Sequence, residues 1–184
     1  MAKIKYGLRN VYYAKATDDG TGNLTYDTPV RIAGAVNMSL DAQGDTTPFY
    51  ADDIVYFSST ANNGYSGTLE VALIPDSFRK DILGETEGTS DSVLYEYANA
   101  PTVEFALLFE FQTDENATKH CMYRCTASRA SVAGQTKEDT ITPQTETLNI
   151  VAMPRIDDYL VKAKCPSTSS AYASWYTTVH EPTA

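Results

Sequence analysis

Between Ile32 and Phe78 the chain has no lysine, arginine or histidine, although Asp41, Asp45, Asp52, Asp53, Glu70 and Asp76 all fall inside that stretch. The whole chain carries a formal charge of −10. Binding to nucleic-acid phosphates needs Lys and Arg to displace counterions, so this balance argues against a DNA-binding module. Histidine is scarce too, with only His120 and His180 in 184 residues. A Ser-His-acid triad therefore has no persuasive members. Neither phosphate-cradling glycine motif occurs, and "SFRK" at Ser77–Lys80 fits S-x-x-K without the companion elements of penicillin-recognising enzymes. "GYSG" lacks the glycine spacing of a nucleophile elbow. The expectation is a protein that is not an enzyme and holds no cofactor or metal.

Cysteine is sparse and odd in number, with three residues. Cys121 and Cys125 fall in what reads as one strand, where four residues span roughly 13 Å. A disulfide tolerates a Cα separation of about 7 Å at most, so reduced, buried thiols are expected. "HCMYRC" does not make a zinc site either, because alternation sends His120 to one face and Cys121 and Cys125 to the other. Adjacent Asp52 and Asp53, in an extended segment, point to opposite faces and do not converge on a hard cation. No apolar run has the length of a signal peptide or a membrane-spanning helix, which implies synthesis in the cytoplasm and no membrane partner. The sequons at Asn23, Asn37 and Asn116 then carry little weight.

What the chain does have is alternation. Leu69, Val71 and Leu73 share a face in "TLEVALIP", and Val103, Phe105, Leu107, Phe109 and Phe111 share one in "VEFALLFEF". "AVNMSL" and "ETLNIVAM" alternate in the same way. "VYYAKAT" and "LTYDTPVRI" flank the turn-rich "DDGTGN", and "TDENAT" joins two further strands into a hairpin. Thirteen Tyr against one Trp also suit a pleated, half-buried surface. The fold class is mostly β: an antiparallel sandwich or barrel-forming sheet of about seven strands. One short helix over about 76–83 follows Pro75, capped by Asp76 or Ser77, with Phe78 and Ile82 as i,i+4 partners and Gly84 closing it. Length favours a single domain, taken as residues 1–164 with a polar tail at 165–184.

A long excursion over about 41–67 interrupts this pattern. In "IVYF" Ile54 and Tyr56 fall on one face and Val55 and Phe57 on the other, so a regular strand there is apolar on both sides. Turn formers flank it in "DAQGDTTP" and "SSTANNG". Such a strand needs cover on both faces, which makes Phe49, Tyr50, Asp52, Asp53, Ile54, Val55, Tyr56 and Phe57 candidates for contact with another subunit.

Five ordered segments carry a family resemblance: "YGLRNVYYAK", "GDTTPFYADD", "NNGYSGTLEVALIPDSFRKDILGE", "FALLFEFQTD" and "TKEDTITPQTETLNIVAMPR". Together, over roughly Lys5 to Lys164, they resemble the major tail protein family of long, non-contractile-tailed bacteriophages of Gram-positive hosts. The resemblance implies a structural virion protein: a β-sandwich with one flanking helix, six copies closing a ring whose inner strands build a continuous barrel. Stacked rings would form the tail tube that conducts DNA during ejection. It further implies self-association, tape-measure and tail-completion partners, and DNA that passes without specific binding. Asp41 and Glu70 are candidates for facing the lumen. The rival class is a non-catalytic β-sandwich that binds carbohydrate or acts in adhesion, with Tyr172, Trp175 and Tyr176 as stacking residues.

Overall fold

The computed structural model describes residues 3–136 and 142–182. The resemblance segment beginning at Thr136 therefore lies partly outside the described residues, at 137–141. In chain order the strands are β1 (Lys5–Asp18), β2 (Leu24–Tyr26), β3 (Val30–Ile32), β4 (Ala35–Gln43), β5 (Thr46–Ala51), β6 (Ile54–Thr60) and β7 (Gly64–Val71). Helix α1 (Asp76–Asp81) follows, then β8 (Thr86–Glu87), β9 (Leu94–Tyr95), β10 (Phe105–Thr113), β11 (Thr118–Ser128), β12 (Glu146–Met153) and β13 (Lys162–Cys165). The described residues thus hold thirteen strands where alternation predicts about seven. Most of the surplus has two to four residues, too short for period two to be read.

The fold is mostly β, antiparallel and sandwich-like. Its main sheet runs β2-β1-β10-β11-β12-β7-β4, with β3 added to β1 and β13 to β11. One edge of β11 is shared, β13 taking Lys119–Met122 and β12 taking Arg124–Ser128. The sheet curls until β4 lies beside β1 without pairing to it, so no closed barrel forms. The expected first hairpin is present, Ala16 opposite Tyr26 and Asp18 opposite Leu24, and β3 then returns to pair with Val11–Tyr13.

Inside the curl lies the larger core, including Val11, Leu69, Val71, Phe105, Leu107, Leu148 and Ile150. Helix α1 plugs one end. Phe78 meets the Tyr13 ring edge-on at 5.1 Å and the Phe105 ring at 5.5 Å. Tyr13 Oη donates to Asp81 at 2.8 Å, and burial pushes its hydroxyl pKa up to about 12. Arg79 ties the helix to β12 through Glu146 at 2.8 Å, and the same carboxylate accepts from the Ile74 amide at 2.6 Å. Two local expectations change here. The N-cap is Pro75, with no side-chain hydrogen bond from Asp76 or Ser77, so packing and Glu146 hold this helix rather than a cap. Strand β7 ends at Val71, which leaves Leu73 69% exposed and turns Ile74 into the core instead.

A second core sits on the outer face of β1, β10 and β11, built on Ala14, Ala106, Leu108, Cys121 and Tyr123. Residues 166–182 cover it. Trp175 is 2% exposed there and its indole N–H donates to the His120 carbonyl at 3.3 Å. Tyr176 stacks on Tyr12 at 4.6 Å and donates to the buried Glu110 carboxylate at 3.0 Å. Tyr172 Oη donates to the Ala117 carbonyl at 3.0 Å. The three aromatics weighed as a carbohydrate platform are thus packed into the molecule, because Ala14, Ala106, Leu108 and Cys121 on this outer face need cover and the Glu110 carboxylate among them needs a donor.

Candidate assembly surface

Among the described residues strands β5 and β6 pair only with each other, and they project beyond the sheet as a hairpin continuing β4 and β7. The ladder carries across the junction through Asn63 N to Gln43 O at 2.9 Å and Ala61 N to Asp45 O at 3.0 Å. The junction depends on glycine. Gly44 has φ +144°, and a Cβ there would lie 2.0 Å from the Ala61 carbonyl oxygen.

At the tip, Asp52 and Asp53 have φ of +52° and +60° between Ala51 and Ile54, the signature of a two-residue type I′ turn. This corrects the extended reading of the pair. The acids sit in a left-handed turn, a conformation Asp tolerates better than most residues. Among the described residues neither carboxylate has a hydrogen-bond or ion-pair partner.

The hairpin register also differs from simple alternation. Phe49 faces Phe57, Tyr50 faces Val55 and Ala51 faces Ile54, with Tyr56 the extra residue of a bulge. Cross-strand partners share a face, so Ile54 and Phe57 fall with Phe49 while Val55 falls with Tyr50. The bulge, invisible to a period-two count, separates Val55 from Phe57. Both faces remain apolar. Phe49, Tyr50, Ile54, Val55, Tyr56 and Phe57 are all exposed, Tyr56 most at 70%.

Asp41 and Glu70 lie on one surface. Leu69, Val71, Met38 and Leu40 turn inward, which leaves Asn37, Ser39 and Asp41 of β4 beside Glu70, Thr68 and Ser66 of β7 on the opposite face. Thr147, Asn149 and Val151 of β12 extend it. Apart from Val151 these nine residues are polar, and none of them is a base. The Glu70 carboxylate accepts from Thr145 Oγ1 at 2.6 Å.

The Cys/His reading needs one correction. Cys121 pairs with Leu108 in the outer core, whereas Cys125 pairs with Phe105 in the inner one. A bulge between those pairs reverses the parity of β11. All three cysteines are free and buried, and burial pushes the Cys121 thiol pKa well up. His120 stacks on Phe109 at 5.2 Å. Burial, with Lys164, Lys5 and Lys162 adding to it, lowers its pKa to about 4. Among the described residues no group of three or more His, Cys, Asp or Glu is placed to hold a metal ion. Among the described residues no helix is long and apolar enough to cross a membrane.

Sequence reasoning missed the strap at residues 166–182 and its anchor. Arg155, 5% exposed, donates to Asp157 at 2.6 Å and to Glu181 at 2.6 Å. Its guanidinium lies 5.9 Å from the Tyr123 ring centroid. A signal was available in Trp175 with its flanking tyrosines, a composition that suits burial better than a solvated tail.

A comparison with curated proteins found no match. A scan against protein families matches residues 1–154 to the phage tail tube protein family. A projecting hairpin, a curled antiparallel sheet and a match over most of its length agree: the chain belongs to the phage tail tube proteins, structural components of the virion.

Proposed function

We propose that the chain closes into hexameric rings that stack into the tail tube of a long, non-contractile phage tail, through which DNA is ejected. The observation that carries this is the β5–β6 hairpin, six large apolar side chains exposed on both faces of a ribbon that, among the described residues, pairs with no other strand. An isolated two-stranded hairpin is marginal in water, so its cover comes from neighbouring copies. Phe49, Tyr50, Asp52, Asp53, Ile54, Val55, Tyr56 and Phe57 are the contact residues of this reading. A heterologous contact of this kind closes a ring when its rotation allows and otherwise runs on as a filament.

In the same reading, the base-free face bearing Asp41 and Glu70 lines the lumen. Like charge against phosphate disfavours the counterion-releasing contacts that hold DNA to proteins, and a narrow channel strengthens the repulsion. DNA then passes without specific binding. The tube unit includes residues 1–164 together with the strap at 166–182 that covers its outer core. Assembly takes place in the host cytoplasm, together with tape-measure and tail-completion proteins, and calls for no enzymatic step by this chain. Electron microscopy of the concentrated, purified protein tests the proposal: rings or tubes are expected, and a monodisperse monomer at every concentration overturns self-assembly.

A further inference from the structure

An acidic chain would be expected to scatter its few bases among its carboxylates. At the sheet end from which the hairpin leaves, this one does the opposite. Lys5 opens β1 opposite Thr113, and Lys162 and Lys164 lie on β13 opposite Met122 and His120. Lys5 Nζ sits 4.6 Å over the Phe111 ring and Lys162 Nζ sits 4.4 Å over the Tyr65 ring. A cavity of about 310 Å³ opens between Lys5, Phe111, His120 and Lys164, and its wall contains no carboxylate. Asp114, nearby, is engaged by the Lys3 amide at 2.8 Å. Among the described residues no carboxylate forms an ion pair with Lys5, Lys162 or Lys164. The crowding is strong enough that these lysines help to keep His120 neutral. Ile4 and Tyr6 stand exposed beside them, so the patch is apolar as well as cationic.

We propose that this patch is the acceptor for the β5–β6 hairpin of a second copy of the chain, with Lys5 and Lys164 receiving the turn carboxylates Asp52 and Asp53. The inference rests on the reading of the hairpin as a subunit contact and adds its partner surface. Charge and apolarity complement each other on the two sides: an unpartnered acidic turn on an aromatic ribbon meets lysines that have no carboxylate partner among the described residues, beside Ile4, Tyr6 and Phe111. Among the described residues the chain's own hairpin contributes nothing to the lining of this cavity, so it does not fill the site itself. Six residues of strand reach roughly 20 Å beyond the sheet, far enough to lean onto an adjacent copy. Donor and acceptor lie at the same end of the molecule, which suits a side-by-side neighbour within a ring.

Charge exchange tests this. D52K/D53K alone and K5E/K164E alone should each remain folded by circular dichroism while tube yield by sedimentation drops at least tenfold. Mixing the two variants should restore tubes, because alternating copies present Lys to Glu and Asp to Lys at every contact. Full assembly of either variant alone, or no recovery on mixing, overturns the assignment. Zero-length carbodiimide cross-linking of the unmutated protein, prepared as a mixture of light and heavy isotope, is independent of both variants. Intermolecular links from Asp52 or Asp53 to Lys5 or Lys164 are expected. Links to Lys80, on helix α1 at the opposite end, in place of those lysines would overturn this assignment and point to a stacked ring instead. If a variant with Tyr56 and Phe57 both changed to Ser still forms tubes, the subunit-contact reading itself fails, a result separable from all of these.

Discussion

Arg155 and Glu181 meet at 2.6 Å, the guanidinium almost fully buried and the carboxylate at the end of the described chain. Through this pair the segment after β13 is tied down over the outer core. Arg155→Ala should cost about 1–3 kcal/mol through lost charge-assisted hydrogen bonds and lost packing on Tyr123, since the carboxylates it leaves behind are exposed to water. Glu181→Gln, at the exposed end, should cost under about 1 kcal/mol. Urea unfolding midpoints check the ranking. Limited proteolysis should cut residues 166–182 first in the Arg155 variant.

Tyr56→Ser with Phe57→Ser should leave the monomer folded, since neither side chain packs on the body of the molecule. Light scattering should then show a protein that does not polymerise. Tubes from this variant would mean that the hairpin is not a subunit contact.

His120 gives stability a definite pH dependence. Its folded pKa, lowered to about 4, lies below the ordinary value of 6.5, so the unfolded chain takes up the proton first. The contribution is fully present above pH 6.5 and is lost as pH falls from there to about 4. With partial exposure discounted, the loss is on the order of 1–2 kcal/mol. Urea unfolding at pH 7.5 and pH 5 should show it in the parent protein. In His120→Gln that increment should disappear.

Phe78→Ala should destabilise by about 3–5 kcal/mol, since the ring fills the space between Tyr13 and Phe105 at the plugged end of the curl. A thermal melt measures it. The hairpin lies at the other end, so any change in assembly should follow stability alone.

A chelator should leave the melting temperature within about a degree of the untreated value, because the acids and the Cys/His residues do not converge on one point. A drop of several degrees would reveal a bound metal. In an assembled ring, the surface presented to DNA should be net negative; a lumen lined mainly by Lys and Arg would overturn the account of unhindered passage.

The fold class was legible because β10 and β7 alternate cleanly and Pro75 marks the change from strand to helix. The hairpin was legible because "IVYF" is apolar at every position between turn formers. Neither bulge was. At Tyr56 and between Met122 and Cys125 one extra residue shifts parity, and no composition signals where pairing slips. The outer core was hidden for a different reason: Ala106, Leu108 and Glu110 mix small, apolar and charged residues. Their burial depends on contacts with Trp175 and Tyr176, more than sixty residues away in the chain. The face proposed to line the lumen was only half legible: alternation can identify that Asp41 and Glu70 share a surface, but not what that surface meets.

The continuity of β4 and β7 into the hairpin has a mechanical consequence. The ribbon is rooted in two adjacent antiparallel strands, and both junction amides extend the same ladder. A pull on its tip along the strand direction therefore draws β4 and β7 together and loads the hydrogen bonds of β7 with β12 in shear. Bonds loaded that way share the force and must yield together, whereas a ribbon peeled sideways gives way one rung at a time. A tube joined through such ribbons would resist stretching along the strands far better than prying across them.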